Sequence, residues 1–167
     1  MRLFIALQLN HEMKDALIGI QDSMRNLGVR GNYSKPENLH LTLAFIGEYG
    51  DPDHVLEILD QIRFEPFDLQ LKGIGSFRGL WWAGIEESDE LRRVVKRLRR
   101  ALAEAGIPFD RKKFSPHITL IRKPVTQDGR IPEAVLAKEL TASMIADHIS
   151  LMRSDRGKNG MIYTELG

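Results

Sequence analysis

The chain of 167 residues contains no cysteine, and that absence removes several chemistries at once. Disulfides, thiolate nucleophiles and thiolate zinc sites are excluded, and a reducing compartment fits. Long apolar runs are missing as well. The opening segment MRLFIALQLN holds one basic residue and then only five consecutive apolar ones, too few for a signal-peptide core or a membrane span. The expectation is a soluble cytoplasmic protein without membrane contact. Nor is there an excess of one charge sign. Formal net charge is +1, so any anion site has to be local and not a property of the whole surface.

What the chain does have is periodicity, and it occurs twice. LFIALQL reads as a strand, followed by a helix with Met13, Ala16, Leu17, Ile20, Met24 and Leu27 at helical spacing, capped by Asn10 and stopped at Gly28. A turn-rich stretch, VRGNYSKPEN, leads to the strand LHLTLAFIG. A helix from about Pro52 to Ile62 and the strands FDLQLKGIG and GLWWAGIEES come next. Ser88 then caps a helix with Leu91, Val94, Val95, Leu98, Leu102 and Ala105 on one face, ending at Gly106, and the loop IPFDRKKF leads to SPHITLIRK. Caps, stop glycines and HxT strands thus recur at nearly constant separation. Two copies imply a two-lobed domain over residues 1–167 with pseudo-twofold symmetry, not a solenoid. ADHISLMRSD and GMIYTELG read as further strands that pair back onto one lobe.

Chemistry enters through the repeated strand. Residues two apart share a strand face, so His40 with Thr42, and His117 with Thr119, each present an imidazole beside a hydroxyl. Leu41, Leu43, Ile118 and Leu120 point the other way, toward a core. With five histidines and five threonines in the chain, chance gives roughly 0.15 HxT pairs, so two at equivalent places of a repeat point to function. A twofold brings both polar faces to one cleft. Two imidazoles there suit concerted acid-base catalysis near neutral pH, because one can start neutral and the other protonated. Arg122 adds a planar fork of donors for an anion. Together these residues describe a phosphodiester site that uses no metal. Neither strand offers a second histidine or a carboxylate at the spacing a metal needs, no HExxH is present, and no GxSxG elbow supports a serine triad.

Other features read as structural. His11, His54 and His148 have no repeated partner. The cations of LRRVVKRLRR, from Arg92 to Arg100, fall off the apolar helix face and read as a solvated outer surface. Trp81 and Trp82 are adjacent, so one is core and the other faces outward.

RLFIAL, KPENLHLTLAFIG, LWWAGI and FSPHITLIRKP resemble the two-histidine phosphoesterases, and within them the bacterial RNA 2',3'-cyclic phosphodiesterases, also called the 2'-5' RNA ligase or LigT-like family. The resemblance implies an α+β fold, bilobal, with two antiparallel sheets lining a central cleft and helices outside. It also implies hydrolysis of RNA 2',3'-cyclic phosphate ends to 2'-phosphomonoesters by a monomer without metal or cofactor, with 2'-5' ligation as a reverse activity. By motif position His40 resembles the general acid and His117 the general base; Thr42, Thr119 and Arg122 would hold the phosphate, and Phe45 would stack on the terminal base. Alternatives are a phosphodiesterase acting on a small nucleotide, such as an ADP-ribose cyclic phosphate or a 2'-5' oligonucleotide, and a nucleotide-binding module without catalysis. One conflict stands out. Strict alternation puts Phe45 and Arg122, each five positions after its histidine, on the face opposite the catalytic pair, so both strands must end, twist or bulge before reaching them.

Overall fold

The computed structural model describes residues 1–167. Strand β1 (Arg2–Gln8) has both faces covered, which accounts for its unbroken apolar run. Leu3, Ile5 and Leu7 enter the main core, whereas Phe4 and Ala6 pack with Met152 and Tyr163 on the opposite side. Helix α1 (His11–Asn26) begins where Asn10 Oδ1 accepts the Met13 N–H at 2.9 Å, satisfying one of the helix's free donors. It stops before Gly28, whose φ of +82° is the left-handed conformation that glycine adopts without strain. Helix α3 (Asp89–Glu104) repeats the device, with Ser88 Oγ accepting from Leu91 at 3.1 Å and Gly106 at φ +74°.

The strands β2 (Arg30–Tyr33), β3 (His40–Glu48), β4 (Phe67–Phe77), β5 (Leu80–Ile85), β6 (His117–Val125), β7 (Ser143–Ala146), β8 (Ser150–Gly157) and β9 (Gly160–Glu165) complete two antiparallel sheets with β1. Their orders are β3-β1-β8-β9 and β2-β6-β5-β4-β7. In each sheet the HxT strand lies beside the strand that opens its repeat, β3 beside β1 and β6 beside β5. This is the expected α+β architecture of two related sheets. The helices cross over. Helix α1 packs on β6 and β7 of the second sheet, and α3 packs on β3 of the first as well as on β4. One apolar cluster, including Leu3, Ile5 and Leu7 in β1 and Leu69 and Leu71 in β4, runs through both sheets. No helix is long and apolar enough to cross a membrane.

Several boundaries differ from the sequence reading. The turn-rich stretch after Gly28 contains β2, which has no apolar alternation and exists because it pairs with the edge of β6. Helix α2 (Pro52–Asp60), capped by Asp51, stops two residues earlier than expected. Of ADHISLMRSD the part from Ser150 is strand, in β8, and Ala146 is the last residue of β7, a strand the sequence reading did not include; the chain leaves the second sheet there and joins the first at Ser150. The C-terminal region therefore pairs with both lobes and not with one: β7 lies on β4, and β8 with β9 lies on β1. A short helix α4 (Glu133–Leu136) precedes β7 and buries Val135.

Candidate active site

His40 and His117 are the first residues of β3 and β6, and both rings are oriented in the same way. His40 Nδ1 lies 2.7 Å from the carbonyl oxygen of Asn38, and His117 Nδ1 lies 2.7 Å from that of Ser115. A carbonyl only accepts, so each Nδ1 carries a proton, and each Nε2 is left as the nitrogen that exchanges one. The turn before His40 (Pro36–Asn38) is tied down in turn, since Asn38 Nδ2 donates to Met161 O at 2.9 Å in β9.

Around His40 the wall is aromatic. Phe4 lies 4.9 Å away, centroid to centroid, and Tyr163 stands edge-on at 5.2 Å. Around His117 the corresponding neighbours are Phe77, edge-on at 4.9 Å, and Trp82 at 6.4 Å. Trp81 is core, 4% exposed, and Trp82 is the outward-facing member of the pair, beside His117. Its indole lies against Gly75, where a Cβ would sit 2.4 Å from the ring, so a glycine is required there.

Burial pushes the His40 pKa below the ordinary histidine value, because a charged imidazole is poorly solvated there. The Asn38 carbonyl opposes this, while the positive fields of Arg122, His117 and Lys14 reinforce it. The folded chain by itself therefore holds His40 neutral near pH 7. Thr42 Oγ1, at 2.7 Å, then donates to the free Nε2. β3 and β6 touch although they belong to different sheets, which lets the charges of His117 and Arg122 act on His40. Arg122 forms no ion pair with any carboxylate, so its charge is available to an incoming anion.

Phe45 and Arg122 reach this face because both strands bulge. Along β1, Ile5 pairs with Ala44 and Ala6 with Thr42, so Leu43 is an extra residue. Along β5, Trp81 pairs with Ile121 and Trp82 with Thr119, so Leu120 is extra. Each insertion reverses the alternation that follows it. Two consecutive residues are buried in each strand, Leu43 with Ala44 and Leu120 with Ile121, before Phe45 and Arg122 emerge exposed. The Phe45 ring is 52% exposed and lies 6.1 Å from Phe4, the ring that also flanks His40. Strand β2 lies close against the Arg122 backbone, where a Cβ on Gly31 would come within 2.9 Å of the Arg122 carbonyl.

The profile of the 2'-5' RNA ligase superfamily matches residues 21–158. This chain belongs to that superfamily. It is 34% identical to an RNA 2',3'-cyclic phosphodiesterase of Thermus thermophilus over 99% of this chain and 88% of that one. A protein of the same name from Aeropyrum pernix is 32% identical over 92% of this chain and 94% of its own. Among solved structures, E. coli LigT complexed with 3'-AMP superposes with a TM-score of 0.80 at 26% identity, over 99% of this chain and 94% of LigT. Membership in the 2'-5' RNA ligase superfamily fits the paired HxT strands, β3 and β6, which touch each other here.

Some residues around the two histidines of this superfamily member carried no signal in its sequence. Tyr163 and Phe77 come from strands with no motif, Phe4 lies in the RLFIAL segment without being singled out there, and Lys14 is one more cation on α1. Arg99 is a correction: it is half-buried and donates to the backbone of β3, so it does not belong to the solvated face of α3. Of the other histidines, His54 shares a 3.1 Å hydrogen bond with the Tyr49 hydroxyl, and exposed His148 faces Glu165.

Proposed function

We propose that this protein hydrolyses RNA 2',3'-cyclic phosphate ends to 2'-phosphomonoesters by metal-independent acid-base catalysis, as a monomeric two-lobed unit. The observation that carries the reading is the matched pair of imidazoles, each with Nδ1 committed to a backbone carbonyl so that Nε2 is left to exchange a proton. The names of the Thermus and Aeropyrum relatives support the substrate class.

In the proposed reaction His117 Nε2 takes a proton from water as its oxygen attacks phosphorus. His40 Nε2 gives a proton to O3' as the P–O3' bond breaks, leaving the phosphate on O2'. Solvent exchange then resets both rings. Acid-base assistance of this kind is worth about 10²–10⁴-fold in rate. His40 is neutral in the folded chain alone, held so first by burial and then by neighbouring positive charge. The negative charge of the substrate offsets Arg122 and Lys14 and so favours the protonated His40 that the acid step needs, while His117 starts neutral as the base. Thr42, Thr119 and Arg122 donate to the phosphate oxygens, where charge builds as the transition state forms. Phe45 stacks on the terminal base. A 5'-hydroxyl in place of water gives a 2'-5' linkage through the same proton transfers.

A small-nucleotide substrate is the second reading, supported by the complexes of E. coli LigT with ATP and with NADP+. The test uses EDTA-treated protein and a short RNA ending in a 2',3'-cyclic phosphate, with product analysis. A 2'-phosphate is expected. No turnover, or turnover abolished by EDTA, overturns the proposal. A 3'-phosphate product reverses the assignment of the broken bond, and a much faster reaction on an ADP-ribose cyclic phosphate selects the small-nucleotide reading.

A further inference from the structure

The bulges at Leu43 and Leu120 put Phe45 and Arg122 on the catalytic face, and each bulge is held from outside its own repeat. Gln21, in α1, is 1% exposed and donates from Nε2 to Leu120 O at 2.9 Å and to Ser34 O at 2.9 Å. Arg99, in α3, donates to Leu43 O from Nη2 at 3.2 Å and Nε at 3.4 Å, and from Nη1 to Lys112 O at 2.7 Å. The spacing from Asn10 to Gln21 equals that from Ser88 to Arg99, so these two side chains occupy the same place in their helices. They also cross over in the same sense. The first repeat's helix holds the second repeat's bulge, and the second repeat's helix holds the first's.

An inserted residue falls out of the regular strand ladder, so its carbonyl needs a donor from elsewhere. Here a guanidinium supplies it for Leu43, and for Leu120 a side-chain amide joins the backbone N–H of Ser34. Arg99 also fixes the loop that meets Phe45: Lys112 lies two residues after Asp110, whose N–H donates to Phe45 O at 2.8 Å. Gln21 acts beside Ser34, whose own N–H reaches Leu120 O at 3.0 Å and whose hydroxyl reaches Thr119 O at 2.8 Å.

We propose that Gln21 and Arg99 are positioning residues, Gln21 pinning the β6 bulge so that Arg122 meets the phosphate, and Arg99 pinning the β3 bulge so that Phe45 meets the base. The roles of Arg122 and Phe45 in this inference rest on the functional reading above. Core burial of Ala44 and Ile121 keeps either strand from changing register outright. Loss of a pin therefore loosens the bulge and the residue beyond it.

The test compares Arg99→Met and Gln21→Met, which keep chain length and remove the donors, on a nucleoside 2',3'-cyclic phosphate and on a base-free ribose 2',3'-cyclic phosphate. Arg99→Met is expected to raise KM on the nucleotide by about fivefold or more, the lower end of one base stack, with KM on the base-free substrate unchanged. Gln21→Met is expected to raise KM on both substrates and to weaken inorganic phosphate binding in parallel. Arg99→Lys, which retains a donor, restores most of the nucleotide KM. Equal effects of Arg99→Met on both substrates, or KM unchanged in both variants, overturn the proposal. Arg99 is half-exposed, so its variant keeps the fold and carries the test alone if Gln21→Met proves too unstable. If the wild-type protein turns over neither substrate, the functional reading fails. The inference is then read from amide hydrogen exchange, which must quicken at Leu43 to Phe45 in Arg99→Met and at Leu120 to Arg122 in Gln21→Met.

Discussion

His40 and His117 are held by the same contact, Nδ1 at 2.7 Å from the carbonyl of the residue two positions earlier, Asn38 in one strand and Ser115 in the other. The symmetry is one of orientation and not of environment. Thr42 closes on the His40 Nε2, and burial with three positive neighbours holds the His40 pKa low.

His40→Ala and His117→Ala are each expected to lower kcat by about 10²–10⁴-fold while leaving affinity for the product largely intact, because the proton transfers occur in the transition state. An activated 4-nitrophenyl phosphodiester of the nucleotide separates the roles, since nitrophenolate leaves without a proton. His40→Ala regains rate on that substrate and His117→Ala does not; the opposite pattern exchanges acid and base.

The His40 titration has a definite sign. In the free protein its midpoint in an NMR titration is expected below the ordinary value of about 6.5, and inorganic phosphate is expected to raise it by offsetting the neighbouring cations. A folded-state pKa below the unfolded one means that the unfolded chain binds the proton more readily. This residue's contribution to stability is therefore lost as pH falls from about 6.5 toward the folded value, and is regained above it. A midpoint at or above 6.5 that ignores phosphate refutes the electrostatic account.

Arg122→Met removes the guanidinium that the proposed function assigns to the phosphate. Affinity for inorganic phosphate is expected to fall by about ten- to a hundredfold, the range for a hydrogen bond to a charged group. The His40 midpoint should rise at the same time, because one of the cations depressing it is gone. Calorimetry and the NMR titration read the two effects separately, and a weakened phosphate affinity without the rise would place Arg122 farther from His40 than the electrostatics indicate.

Gly75→Ala puts a Cβ 2.4 Å from the Trp82 indole, which must then shift beside His117. The expected cost is about 1–3 kcal/mol of stability, as for overpacking of a filled space, together with a lower kcat. Denaturant midpoints and turnover measure these, and a variant unchanged in both would show that the indole has room to move.

Much of this was legible in the chain itself. Helix caps at Asn10 and Ser88, the stops at Gly28 and Gly106, and the inward leucines of both HxT strands follow from local rules: capping, positive φ and period-two alternation. Because those signals repeat, the sequence by itself determined that two similar units exist and that His40 and His117 are equivalent within them.

It did not determine where β2, β7 and the last two strands pair, since RGNY and SMIA carry no alternation and join whichever edge the fold leaves open. Nor could spacing alone place Phe45 and Arg122 on the face of the two histidines, because a bulge leaves no mark in it; only the resemblance required that the strands end, twist or bulge. Only tertiary structure supplies the donors that settle each bulge, Gln21 reaching Leu120 and Arg99 reaching Leu43 across the two repeats. The physical reason is range: periodicity is decided by neighbours a few residues away, and the partner of an unpaired carbonyl is decided by whatever packs above it.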